Sequence, residues 1–155
     1  MNADEILAWF KANNPKTLAQ ITEAGIETAP MPDGGSRRVY SLLFTPWCLK
    51  IQRPNVLPSQ NFIEAFALTE LNENPHAASL VPTLIYQSPT DARMLIETRY
   101  DISPAADAQK YFVDVLTSRL VLVSGWRFDD VHAHNIRLDA DGNPRLVDLG
   151  YARKI

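Results

Sequence analysis

The spacing of apolar residues predicts two short helices at the start of the chain. Apolar side chains at positions 6, 7, 9 and 10 lie close to one face of a helix, and acidic residues at positions 4 and 5 stand at the end where negative charge is favourable. Asn13, Asn14 and Pro15 end this helix. A second short helix is predicted around residues 18–24.

Beyond Ile26 the pattern changes to the alternation of apolar and polar positions that is typical of strands. Turn residues and longer apolar periodicities then divide the chain into further elements. The predicted order is strands at 38–44 and 47–52, a helix at 61–72, strands at 80–87 and 93–100, a long helix at 105–124, and a hairpin of 136–138 with 145–148. This order predicts an α+β fold, because a doubly wound sheet requires strands and helices to alternate.

Composition excludes several classes of protein. The 155 residues suit one domain, and 46 % hydrophobic with 21 % charged residues is ordinary for a globular protein. A net charge of −3 argues against nucleic acid as a partner. No apolar run has the length of a membrane span, and the start lacks the features of a signal peptide. We therefore expect a cytoplasmic location, with export by another signal left open.

The residues that carry chemistry are concentrated near the end of the chain. Asn135 follows Asp130 by five positions, Asp148 follows Asn135 by thirteen, and Gly150 stands two beyond Asp148. This spacing resembles the catalytic loop and the Asp-Phe-Gly motif of protein kinases and their small-molecule phosphotransferase relatives. A His stands two positions after the first Asp, at His132. In this feature the loop resembles the aminoglycoside-phosphotransferase branch of the family.

The resemblance implies that ATP and Mg²⁺ bind this protein. Asp148 and the Asn135 amide would hold Mg²⁺, a hard ion that prefers oxygen ligands. Asp130 would orient the acceptor hydroxyl and take its proton. Two carboxylates that face one cleft repel each other by about 4 kcal/mol at ~4 Å in an effective dielectric near 20, and a bound cation removes that penalty.

The first half of the chain supplies a candidate for the cation that binds phosphates. Lys50 ends a short apolar strand, where kinases place the Lys that reaches the α- and β-phosphates. The resemblance implies a Glu partner on the next helix, and Glu64 has the expected spacing, with Glu70 as the rival candidate. Cys48 lies two residues before Lys50, so strand alternation puts both side chains on one face, and the resemblance places Cys48 above adenine.

The segment around residue 96 resembles the hinge that contacts adenine in kinases. The resemblance implies that Ile96 lies at the back of the nucleotide pocket. It also implies that backbone groups from Glu97 to Arg99 face the base. The alternative for Cys48 is an inert buried thiol.

Two departures from the kinase pattern change the expected phosphate and adenine contacts. Gly34 and Gly35 are adjacent, where the kinase loop has three spaced glycines, so we expect looser cradling of phosphates, with Arg37 or Arg38 as a substitute charge. Arg137 stands two beyond the predicted metal-binding Asn, where kinases have an apolar floor under adenine.

The resemblance implies one kinase-like domain over residues 1–155. Residues 1–31 are expected to form a helical extension, 32–100 an amino-terminal lobe with an antiparallel sheet and one helix, and 101–155 an abbreviated carboxy-terminal lobe. That lobe is expected to contain one long helix and the catalytic hairpin, because the sequence ends seven residues after Asp148.

Three functions remain open on the sequence. The first is an ATP-dependent serine/threonine protein kinase of the small bacterial or phage type. The second is a pseudokinase that binds and regulates a protein partner, with or without nucleotide. The third is a kinase of a sugar or lipid hydroxyl. A zinc site at His132 and His134 has little support, because a third well-spaced ligand is lacking.

Overall fold

The structure is a computed structural model that describes residues 1–32 and 35–155, with the backbone alone at positions 123 and 124. The helices are α1 (Ala3–Asn13), α2 (Leu18–Glu23), α3 (Gln60–Glu73) and α4 (Gln109–Ser124). The strands are β1 (Thr28–Pro30), β2 (Arg37–Leu42), β3 (Trp47–Gln52), β4 (Leu84–Gln87), β5 (Met94–Thr98), β6 (Trp126–Phe128), β7 (Ile136–Leu138), β8 (Pro144–Leu146) and β9 (Ala152–Lys154). Short 3₁₀ helices cover Ala78–Leu80 and Ala133–Asn135.

The first of two compact units contains residues 1–65 and 84–99 and is built on a five-stranded antiparallel sheet. The strand order is β1-β2-β3-β5-β4. In the centre, Lys50 on β3 lies opposite Val39 on one side and Leu95 on the other. Since successive side chains of a strand point to opposite faces, this register puts Cys48 and Lys50 on one face of the sheet and Leu49 on the other.

The Leu49 face of this sheet carries the hydrophobic core of the first unit. Phe10 of α1, Ile21 of α2, Leu49 and Ile96 are fully buried in one cluster. Burial of each such side chain stabilises the fold by about 1.5–3 kcal/mol. The helix α1 begins at a capping box between Asn2 and Glu5, which satisfies backbone donors of its first turn.

The second unit contains residues 66–83 and 100–155. Its longest element is α4, which buries Leu116 and Leu120. The helix ends at Gly125, whose φ of +69° is a left-handed conformation that glycine adopts without steric penalty. Two antiparallel pairs follow, β6 with β9 and β7 with β8.

The α+β class and the predicted order of the main elements agree with the structure. The predicted strand at 80–87 is shorter, because Ala78–Leu80 forms a 3₁₀ turn before β4 begins at Leu84. Residues 66–83 group with the second unit, whereas the sequence assigned them to the amino-terminal lobe. Within residues 1–32 and 35–155, none of the helices has the length and apolar character that a membrane crossing requires.

Candidate functional site

The first unit holds a buried ion pair between Lys50 on β3 and Glu64 on α3. Lys50 Nζ lies 2.9 Å from Glu64 Oε1 and 3.1 Å from Oε2. The two residues are 5 % and 0 % exposed. This is the pairing that the sequence predicted. The Lys50 side chain is buried in it, whereas a Lys at the end of a strand is usually exposed to solvent.

Arg37 is a second cation in this cluster, and its pairing with Glu64 was not predicted from the sequence. It lies opposite Gln52 in the register of β2 and β3, so its side chain shares the sheet face of Lys50. Its guanidinium donates to Glu64 Oε2 and to Asn61 Oδ1, the latter at 3.3 Å. The strand register, which a single sequence leaves undetermined, is what brings Arg37 to Glu64.

Glu97 is a second carboxylate beside Lys50. It lies opposite Cys48 in the register of β3 and β5, and its Oε1 is 2.7 Å from Lys50 Nζ. Burial raises the pKa of Glu97 to about 8, and the negative charge of Glu64 adds to the shift. Its other oxygen, Oε2, is buried without a hydrogen-bond partner among the residues that the structure describes. The buried cluster of Arg37, Lys50, Glu64 and Glu97 is called the charge cluster below.

Two predicted positions differ in the structure. Ile96 lies opposite Leu49, so its side chain packs in the cluster with α1, on the face away from Lys50. Ile96 was expected at the back of the nucleotide pocket, but its side chain lies on the Leu49 face, and the side chain of Glu97 lies on the face of Lys50. Glu70, the rival partner for Lys50, instead accepts from Trp126 Nε1 at 2.9 Å and from Lys154.

In the predicted hinge, Arg99 makes hydrogen bonds to neighbouring backbone carbonyls. The main-chain N–H of Arg99 donates to the Pro46 carbonyl at 2.8 Å, and its guanidinium donates to the Trp47 carbonyl at 3.4 Å. The backbone N–H of Arg99 is therefore used within the first unit, and the expected contact of this group with adenine is not supported.

Three further residues of the first half of the chain were predicted to contact the nucleotide: Cys48, Gly34 and Gly35. Burial raises the pKa of the Cys48 thiol to about 12, so the thiol stays protonated and unreactive at neutral pH. Gly34 lies outside the described residues. Gly35 is exposed, and a Cβ added there would meet no atom within 4 Å. No steric requirement for glycine is therefore present at position 35.

In the second unit, the predicted catalytic loop is held together by Asn135. Its Nδ2 donates to the side-chain Oδ2 and to the main-chain carbonyl of Asp130, both at 3.0 Å. His132 Nε2 lies 3.1 Å from Asp130 Oδ1. Since the amide nitrogen faces the two acceptors on Asp130, the amide oxygen of Asn135 is directed away from them, which is the orientation that a metal ligand needs.

Asp148 follows β8 and is connected to the same loop through the backbone. The N–H of Val147 donates to the carbonyl of Asn135 at 2.8 Å, and the N–H of Gly150 donates to Asp148 Oδ1 at 3.0 Å. Asp130 and Asp148 both line one narrow crevice of the second unit. The available donors are carboxylate and amide oxygens, and this donor set fits Mg²⁺.

Arg137 has a local role that the sequence did not reveal. Its Nη1 donates to the carbonyls of His134 and Ile136, at 3.0 and 2.8 Å. The guanidinium thus binds the backbone of the predicted catalytic loop and stabilises the turn that carries Asn135. This contact accounts for an arginine at a position where an apolar side chain was expected.

The described residues do not form a cluster of three or more His, Cys, Asp or Glu side chains able to hold a metal ion. The rings of His132 and His134 are 5.7 Å apart in an edge-on arrangement. His132 is directed to Asp130. The geometry therefore assigns His132 to the support of Asp130.

Comparison with known proteins gives a relationship of fold. No protein-family model and no curated protein sequence matches the chain. Among solved structures, a co-crystal structure of WbdD with the kinase inhibitor LY294002 matches with a TM-score of 0.54 and 17 % identity, over 79 % of this chain and 32 % of the other. A structure of the bifunctional kinase-methyltransferase WbdD matches with a TM-score of 0.53 and 17 % identity, over 83 % of this chain and 34 % of the other.

The chain thus spans about a third of the length of these WbdD chains. At 17 % identity the likeness establishes the fold and leaves substrate and activity open. The protein has a small kinase-like α+β fold with a five-stranded antiparallel sheet.

Proposed function

We propose that this protein is a phosphotransferase that uses ATP and Mg²⁺. The observation that carries the proposal is the buried ion pair of Lys50 and Glu64 in a kinase-like fold. A buried ion pair is a weak device for stability, because desolvation of the two charges offsets their attraction. A fixed position for the Lys50 ammonium is the better reason for it, and phosphate oxygens are the ligands that such a cation serves.

The second unit supplies the groups that a metal ion requires. Asn135 Oδ1 and the Asp148 carboxylate would hold Mg²⁺, which when bound neutralises phosphate charge. Asp130 is the candidate base for the acceptor hydroxyl, and the hydrogen bond from Asn135 fixes its carboxylate. His132 beside Asp130 Oδ1 is a further positioning group.

We assign the acceptor to a serine or threonine hydroxyl of a protein. The catalytic-loop spacing is similar to that of protein kinases, and the side chain of Asp130 is 34 % exposed, which suits a hydroxyl presented by a macromolecule at the surface. Lys50, Glu64, Asp130, Asn135 and Asp148 form the proposed catalytic set. A role for Gly35, Cys48 and the backbone of Glu97 in nucleotide binding belongs to the same proposal.

A pseudokinase is the second candidate, and Glu97 is the observation that favours it. Its carboxylate lies 2.7 Å from the Lys50 ammonium and occupies part of the coordination that phosphates would take. A protein that keeps Lys50 in this internal pairing binds nucleotide weakly and acts through a protein partner.

The proposed function is tested by transfer of the γ-phosphate from labelled ATP to casein and to the protein itself. We expect Mg²⁺-dependent transfer by the wild type. Asp130→Ala should abolish transfer while nucleotide binding is retained, and Asp148→Ala should abolish both. Asp141→Ala, in the exposed hairpin turn, is the matched control and should transfer as the wild type does.

Equal loss of nucleotide binding from Asp130→Ala and Asp148→Ala contradicts the assigned roles. Nucleotide binding by the wild type without transfer to any acceptor, or to water, identifies the pseudokinase instead.

A further inference from the structure

The ammonium of Lys50, the proposed ligand of nucleotide phosphates, lies between two carboxylates. Its Nζ is 2.7 Å from Glu97 Oε1 and 2.9 Å from Glu64 Oε1. The Lys50 side chain is 6 % exposed, and the side chains of Glu64 and Glu97 are equally enclosed. A phosphate oxygen therefore reaches the ammonium only when one of the two carboxylates releases it.

The two carboxylates differ in how well the surrounding residues support their charge. Glu64 also accepts from the Arg37 guanidinium, so two cations contact it. Glu97 Oε1 contacts Lys50, but Glu97 Oε2 is buried and has no hydrogen-bond partner within residues 1–32 and 35–155. A buried acceptor without a partner is unfavourable, above all when it carries charge. Glu97 is therefore the carboxylate that releases Lys50 more readily.

The elements around Glu97 also place other groups beside it. On β3, Cys48 lies directly opposite Glu97, and burial raises the pKa of its thiol to about 12. On β4, the residue opposite is the apolar Leu84. Arg99 follows Glu97 by two positions, and its guanidinium donates to the Trp47 carbonyl. The thiol stays neutral between pH 7 and 9, so it does not compete with Glu97 for a proton in that range.

We propose that Glu97 determines the affinity of Lys50 for phosphate groups: the ionised carboxylate holds the ammonium and excludes phosphates, and a proton taken up from solvent by Glu97 releases it. The proposal rests on the proposed function, because it takes the phosphates of Mg²⁺-ATP as the ligand of Lys50. A neutral Glu97 attracts Lys50 less strongly, and it does not repel an incoming anion.

The size of the effect follows from the fraction of Glu97 that is protonated. Burial and the negative charge of Glu64 raise the pKa of Glu97 to about 8. About nine-tenths of such a group is protonated at pH 7 and about one-tenth at pH 9. An apparent dissociation constant is the intrinsic one divided by the competent fraction, so Mg²⁺-ATP should bind about tenfold more weakly at pH 9 than at pH 7.

The experiment measures dissociation constants of the 155-residue chain by calorimetric titration at pH 7, 8 and 9. The ligands are Mg²⁺-ATP and Mg²⁺-methyl triphosphate, which lacks adenine and ribose. We expect the wild type to lose about tenfold in affinity for both ligands between pH 7 and pH 9. Glu97→Gln cannot ionise, so it should bind at every pH as the wild type does at pH 7. Glu73→Gln, at an exposed position of α3, is the matched control and should retain the wild-type loss.

Equal affinity of the wild type at pH 7 and pH 9 would overturn the proposal, and this result decides the matter even if Glu97→Gln does not fold. A loss of the same size in Glu97→Gln would overturn it as well, since another group would then be responsible. Methyl triphosphate binding that weakens with pH, without ATP binding, supports the role of Glu97 and contradicts the proposed ATP site. Binding of neither ligand at any pH contradicts both.

Discussion

The Lys50 ammonium has two carboxylate partners, whereas the sequence spacing predicted one. Its predicted partner, Glu64, is present at 2.9 Å, and Glu97 lies even closer at 2.7 Å. Arg37 shares Glu64 with it. Two cations therefore balance two carboxylates, and the protonation of Glu97 determines whether the cluster carries net positive charge.

Glu97 makes the stability of the protein depend on pH. Burial raises the pKa of Glu97 from 4.5 to about 8. Between these values the folded protein retains a proton that the unfolded chain releases, so the free energy of unfolding decreases as pH rises from about 5 to about 8. The slope from one such group is at most about 1.4 kcal/mol per pH unit.

Glu97→Gln should remove this part of the slope while preserving the shape of the side chain. Chemical denaturation of the wild type and the variant at pH 5, 6.5 and 8 measures the effect. Glu73→Gln, at an exposed position of α3, is the control and should retain the wild-type slope. An unchanged slope in Glu97→Gln would show that another group takes up the proton.

At the scale of elements, α3 fixes the charge cluster against the sheet. Asn61 in its first turn donates to the carbonyls of Lys50 and Arg93, both at 2.9 Å, and its own N–H donates to Gln52 Oε1 at 3.0 Å. These bonds hold the start of α3 on β3, so Glu64, about one turn later, meets Lys50. The position of Glu64 thus follows from contacts that Asn61 makes.

Glu64→Gln should destabilise the first unit by about 3 kcal/mol or more, because removal of one partner from a buried ion pair leaves charge uncompensated. Urea denaturation measures the change. Glu73→Gln on the same helix is exposed and should change stability by less than about 0.5 kcal/mol. If both variants lose a similar small amount of unfolding free energy, Glu64 is not required to balance the buried cations of the charge cluster.

The sequence predicted these elements well where periodicity is strong and poorly where the partner is distant. The strand at 47–52 and the helix at 61–72 match β3 and α3 within one residue. The pair of β6 and β9 was missed, since three-residue strands lack a detectable period and their partner lies far along the chain. Arg37, Glu97 and Ile96 depend on register, which a single sequence does not determine.

At the scale of the whole molecule, the two units contribute different chemistry to the proposed function. The first unit provides a buried cation, and the second provides hard oxygen donors on a loop stabilised by Arg137. The fold is kinase-like, and the sequence spans about a third of the WbdD chains with that fold. We propose that the binding of metal-nucleotide uses both sets of groups.

The most direct test is the thermal stability of the purified chain with and without Mg²⁺-ATP, alongside Asp148→Ala. A ligand at a hundredfold excess over its dissociation constant stabilises the folded state by about 2.7 kcal/mol. For a chain of this size the melting temperature should rise by roughly 5–10 °C. We expect a rise that requires Mg²⁺ and disappears in Asp148→Ala. No rise at millimolar Mg²⁺-ATP, or an equal rise in Asp148→Ala, would contradict it.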